Sequence, residues 1–94
     1  MKKPGLNEEK ILSQLEELAN SLDIRVRYEQ IKKESSFFPG GLCKLKGENI
    51  LIINSSAGIE DKINALAGAV SSFDLSDIHM RPALREFLED NFPD

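Results

Sequence analysis

Cys43 is the only thiol in the chain and His79 the only imidazole. They are the two side chains best suited to nucleophilic or acid–base chemistry near neutral pH. A thiol or hydroxyl nucleophile needs a base within hydrogen-bond reach, and a hydrolytic metal centre needs several ligands. The spacing supplies neither. Asp74, Asp77 and His79 lie close in sequence, but their pattern matches no metal-binding loop, and His79 reads as a surface or hinge residue. No metal or cofactor is expected. Gly40-Gly41 precedes a strand, whereas loops that cradle phosphate follow a strand and open a helix. Glu16-Glu17 and Glu89-Asp90 are adjacent pairs, and adjacent side chains on a helix diverge. The chain is therefore not expected to be an enzyme. A small thiol-dependent enzyme using Cys43 or His79 is the third of three functional readings.

Binding chemistry has more to draw on. The net charge of −4 is unevenly spread: residues 24–46 carry six cations against Glu29 and Glu34, so this quarter of the chain is at +4 and the remainder at −8. Arg25, Arg27, Lys44 and Lys46 fall within strands or at their ends, where alternation places them on one face or the other. Phe37-Phe38 sits in a loop broken by Pro39-Gly40-Gly41. At least one of the two rings is expected to tuck under the loop into the core, with a contact finger for a partner as the alternative.

The elements that must position these groups follow from periodicity. Asn7 is a plausible cap for a helix running to about Leu22, with Ile11, Leu15, Leu18 and Leu22 as its apolar stripe. Ile24 to Ile31 alternates as a half-buried strand, Ile24, Val26 and Tyr28 on one side and Arg25, Arg27 and Glu29 on the other. Leu42–Lys46 and Asn49–Ile53 read as a hairpin about Gly47-Glu48, glycine first, the pattern of a type II′ turn. That turn sets Leu45 opposite Ile50, Cys43 opposite Ile52 and Leu42 opposite Ile53. Cys43, Leu45, Ile50 and Ile52 then form a wholly apolar face, in which the thiol packs as a small hydrophobe. The other face shows Leu42, Lys44, Lys46, Leu51 and Ile53. If Arg25 and Arg27 share it, it is an apolar strip flanked by cations. A helix follows, with Ser55 or Ser56 as cap and Ile59, Ile63, Leu66, Ala67, Val70 and Phe73 as its stripe. Gly68 inside that helix predicts another element passing close by. Pro82 opens a last helix that buries Leu84, Phe87 and Leu88.

Ninety-four residues make one domain, 1–94, with residues 1–5 as a loose tail. A single cysteine allows no internal disulfide, and Ile50–Ile53, the longest aliphatic run, is far too short to span a bilayer. With no apolar run of secretory length after Met1-Lys2-Lys3, the expected location is the cytoplasm, with no membrane contact. The expected fold is α+β in the order α-β-β-β-α-α, a small three-stranded antiparallel sheet with helices packed mainly on one face.

Two resemblances accompany these readings. Gly40-Gly41-Leu42-Cys43-Lys44-Leu45-Lys46-Gly47, followed by a strand, a helix and Met80-Arg81-Pro82-Ala83-Leu84-Arg85-Glu86, resembles a set of short uncharacterised bacterial proteins. These share a Gly-Gly-Leu-Cys-basic-x-basic-Gly hairpin and a Pro-x-x-Arg-Glu start to the last helix. The likeness spans residues 40–86 and implies a compact cytoplasmic domain of unknown function. A shorter stretch looks like the ImmA/IrrE-like zinc peptidases, which run from a hairpin into a strand ending in Asn and then a helix bearing Leu-Ala-His-Glu-x-x-His. Here Ile52-Ile53-Asn54 is followed by Leu66-Ala67-Gly68-Ala69-Val70-Ser71-Ser72. Gly68, Ala69 and Ser72 stand in place of the two histidines and the glutamate, so the resemblance implies a shared topology without the zinc chemistry.

The first functional reading is therefore a non-catalytic protein-interaction module, binding a protein partner or itself, as a homodimer, through Arg25, Arg27, Leu42, Lys44, Lys46, Leu51 and Ile53, with Phe37 and Phe38 beside them. The second is a nucleic-acid or nucleotide accessory protein using the same basic face, with Tyr28, Phe37 or Phe38 stacking on bases. The acidic net charge makes nucleic acid the less favoured partner.

Overall fold

The computed structural model describes residues 7–30 and 40–92. The first helix, α1 (Glu8–Ser21), starts where the sequence signals it: the Asn7 side chain accepts a hydrogen bond from the backbone N–H of Lys10 at 2.9 Å, and Glu8 and Glu9 occupy the first turn. Both features satisfy or complement the free N–H groups at the helix start. The chain leaves α1 through Leu22 and Asp23 alone. Asp23 has φ 62°, a left-handed conformation that aspartate tolerates better than most residues. This short link ties α1 directly to the next element, β1 (Ile24–Glu29).

The sheet is completed by β2 (Gly40–Leu45) and β3 (Glu48–Asn54), in the order β1-β3-β2. The α+β class and the element order agree with the sequence. The sheet is mixed, however, not wholly antiparallel: β2 pairs antiparallel with β3, while β1 pairs parallel with it, Ile24 beside Asn49 and Val26 beside Leu51. The reason lies in β3. Four consecutive aliphatics suit a central strand, which has neighbours on both edges. Once β3 lies between β1 and β2, two reversals of chain direction bring it back parallel to β1.

The hairpin turn also differs from expectation. Its central residues are Lys46 and Gly47, with φ 52° and 81°, the type I′ geometry, in place of a II′ turn at Gly47-Glu48. Leu45 therefore faces Glu48, Cys43 faces Ile50 and Leu42 faces Leu51. This register is offset by two from the expected one. Side chains alternate with period two, so an even shift leaves each on its expected face.

The covered face is the reverse of the expected one. Ile24, Leu51 and Ile53 (3%, 1% and 0% exposed) join Leu15, Leu18 and Ala19 of α1 in one core. The physical cause is β1: its apolar side, Ile24 and Val26, lies beside Asn49 and Leu51, and the two-residue link holds α1 over that side. The same core takes Ile63, Leu66, Ala67 and Val70 from α2 (Ile59–Ser71), which packs on α1, β2 and β3. The helices thus lie mainly on one face. Fully burying each leucine, isoleucine or valine of this set contributes roughly 1.5–3 kcal/mol.

Gly58 is the N-cap of α2, and Ser55 and Ser56 belong to the turn before it. There the buried Asn54 side chain accepts from the Ser56 N–H at 2.9 Å, and the Ser55 N–H donates to the Glu29 carbonyl, clamping the end of β3 to β1. The last helix, α3 (Pro82–Asn91), buries Leu84 and Leu88 and packs on α1. Its Arg85 guanidinium reaches back to the carbonyls of Ile78 (2.6 Å) and Leu75 (3.4 Å), fastening the connector from α2. At Gly68, a Cβ would stand 3.8 Å from the Phe92 ring, so the end of α3 does pass close, but leaves room for a methyl group.

Candidate functional site

Pairing of β1 with β3 divides the candidate residues between two faces. Arg25 and Arg27 lie with Ile50, Ile52, Cys43 and Leu45 on the face away from the helices. Leu42 and Lys44 lie on the helix-facing side with Leu51 and Ile53. The expected strip of Leu42, Leu51 and Ile53 bordered by Arg25 and Arg27 is therefore not formed. Leu51 and Ile53 are core residues that no partner can reach in the folded chain. Phe37 and Phe38 lie outside the described residues.

The face of Cys43, Leu45, Ile50 and Ile52, expected to be wholly apolar, also carries Arg25 and Arg27, and their charges are balanced. Arg25 pairs with Glu48 at 3.5 Å and Arg27 pairs with Glu29. Exposed pairs of this kind add little stability, but each carboxylate cancels the charge a phosphate would seek. Tyr28 is also committed elsewhere. Its hydroxyl donates to the Glu16 carboxylate of α1, and its ring lies 5.8 Å from the Lys62 ammonium of α2. Desolvation first, then the hydrogen bond to Glu16 and its negative charge, push the phenol above its ordinary value and keep it protonated. The Tyr28 hydroxyl thus ties β1 to α1, while the residue stays 41% exposed.

The features that do come together are on β2. It is an edge strand, and among the described residues no strand pairs with its outer side. Leu42 is 39% exposed and Leu45 55% exposed, at either end of a segment that also exposes Cys43 and Lys44. Cys43 was expected to pack in the core; it is exposed on the face away from the helices, although its partner across the hairpin, Ile50, is buried there. Lys46 is exposed in the adjoining turn. Among the described residues, neither lysine has a carboxylate within 4.0 Å. Alternation within β2 was legible in the sequence, as was the aliphatic run Ile50–Ile53 that makes β3 the central strand and so leaves β2 at an edge.

Two open clefts flank α3. One, about 420 Å³, is lined by Phe73, Leu75, Met80, Arg85, Leu88 and Phe92, and its guanidinium is occupied by the connector carbonyls. The other, also about 420 Å³, has Ser21 and His79 among its lining residues. The Ser21 hydroxyl donates to the Glu17 backbone carbonyl at 3.1 Å, so its proton is directed away from the imidazole. Asp74 is engaged by the N–H and hydroxyl of Ser76, which hold its carboxyl below the usual value, the backbone bond contributing most. Among the described residues no three His, Cys, Asp or Glu side chains converge as a metal site. On α2, Gly68 is exposed and Ala69 buried; Ser72, the exposed C-cap, donates its hydroxyl to the Ala69 carbonyl at 2.6 Å.

The chain matches no family model, no curated protein and no solved structure.

Proposed function

We propose that this chain is a small cytoplasmic, non-catalytic protein-interaction module whose contact surface is the outer edge of β2. The observation that carries the reading is an edge strand, unpaired on its outer side among the described residues, that exposes Leu42 and Leu45 about Cys43. A sheet edge offers a row of backbone donors and acceptors to another chain. The exposed parts of Leu42 and Leu45 supply apolar area to such a contact. No helix of the described residues is long and apolar enough to cross a membrane. The basic-face alternative loses support because both arginines are paired and Tyr28 is engaged.

The test uses Cys43 as a natural handle. The folded protein, labelled there with a thiol-reactive photo-crosslinker, is irradiated in a cytosolic extract of cells that express it. A discrete adduct is expected, lost on introducing Leu45→Glu. A Glu89→Cys control carrying Cys43→Ser, labelled on α3, should not give it. The same adducts from both positions, or none from Cys43, would overturn the reading.

A further inference from the structure

We propose that the partner docks as an extended acidic segment that adds a fourth strand to the outer edge of β2, and that a second copy of this chain does not. The proposal rests on the reading above and names the partner's chemistry. The turn at Lys46-Gly47 closes between Leu45 and Glu48. In a two-residue hairpin that flanking pair exchanges both backbone hydrogen bonds, and bonded pairs then alternate along the ladder. Leu45 and Cys43 are therefore bonded to β3. The N–H and C=O groups of Leu42 and Lys44 point outward, in position to receive a strand.

Charge selects which strand. The two sheet edges are unlike: the arginines of β1 are each paired with a carboxylate, whereas Lys44 and Lys46 on the β2 side are exposed and, among the described residues, unpaired. Lysines on an edge strand work against self-pairing. A second β2 placed antiparallel about Cys43 sets each Lys44 opposite Leu42, and the two Lys44 side chains become diagonal neighbours at roughly 7–8 Å. A strand carrying Asp or Glu opposite Lys44 turns this repulsion into attraction. Its alternate residues fall opposite Cys43 and Leu45, where apolar side chains cover the exposed leucine. The recognised pattern is thus acidic and apolar in alternation.

The probe is a blocked seven-residue peptide of alternating valine and glutamate; its control replaces glutamate with lysine. Amide hydrogen exchange is followed by NMR on the full chain. Without peptide, the amides of Cys43 and Leu45 should be protected and those of Leu42 and Lys44 should exchange fast. Saturating glutamate peptide should slow Leu42 and Lys44 by about tenfold at low salt, less at high salt. Lys44→Glu with Lys46→Glu, both at exposed positions, should transfer the effect to the lysine peptide. Equal protection by both peptides overturns the acidic partner. Protection along β1, or none on β2 while the Cys43 adduct persists, overturns strand addition and leaves the interaction reading standing. A dimer seen by sedimentation, and abolished by Leu45→Glu, overturns the exclusion of a second copy.

Discussion

Replacing Leu51 by alanine tests which face of the sheet is the core. Leu51 is 1% exposed and packs in the cluster that joins α1, α2 and the sheet. Truncating such a leucine removes its transfer free energy and leaves a cavity that the neighbours fill only in part, a cost of about 2–5 kcal/mol. For a domain of this size total stability is roughly 5–14 kcal/mol, so a loss of about 3 kcal/mol leaves a folded baseline to measure from. With a urea m-value of about 1 kcal/mol per molar, the unfolding midpoint should fall by about 3 M. Leu45, on the same hairpin but the opposite face and 55% exposed, is the internal control. Leu45→Ala should change stability by no more than about 0.5 kcal/mol. The assay is equilibrium urea unfolding of both variants and the parent, followed by far-ultraviolet circular dichroism. A Leu45→Ala cost equal to or above that of Leu51→Ala would refute the assignment of the covered face, and with it the exposure of the β2 edge.

Gly68→Ala should raise stability by about 0.5–1 kcal/mol, because a helical backbone gains from alanine and its methyl meets Phe92 at ordinary contact distance; a lower Tm would count against this. Gly47→Ala should cost about 1–2 kcal/mol in urea unfolding. The site is spatially open, so the cost comes from φ 81° alone. Arg85→Ala should speed proteolysis between Phe73 and Arg81 and lower stability by roughly 1–3 kcal/mol, since two connector carbonyls lose a charged donor. The Asp74 carboxyl should titrate below an ordinary aspartate by NMR, and Ser76→Ala should move it back up. Its folded pKa is depressed, so any stability it lends is present above the unfolded value and is lost as pH falls through the folded one.

The helices were legible because their signals are local. Asn7, the stripe from Ile11 to Leu22 and Pro82 each act within a turn or two of their own position, and α1 and α3 begin where these residues place them. The hairpin was legible as a hairpin, and its two faces sort as alternation requires, although the turn is centred one residue earlier than glycine-first chemistry suggests. Lys46 at φ 52° explains the miss: a lysine in the left-handed region carries no sequence signal of its own. The cap of α2 was missed because Gly58 fills it with no side-chain hydrogen bond, while the serines sit in the turn before it.

The candidate site was less legible. Alternation fixes which side chains of the hairpin share a face, and the residues alone determine that Cys43, Leu45, Ile50 and Ile52 go together while Leu42, Leu51 and Ile53 go together. Both sets are apolar enough to be a core. Which one is covered depends on β1, which reaches β3 across more than twenty residues of chain and sets Val26 beside Leu51 and Arg25 beside Ile50. That pairing carries α1 onto the Leu51 face, pairs Arg25 with Glu48 and leaves β2 as an edge. The sequence determined the elements and their faces because these depend on neighbours within a few residues. Only the tertiary structure decided which face met the helices, because that choice lies in the long-range pairing of β1 with β3.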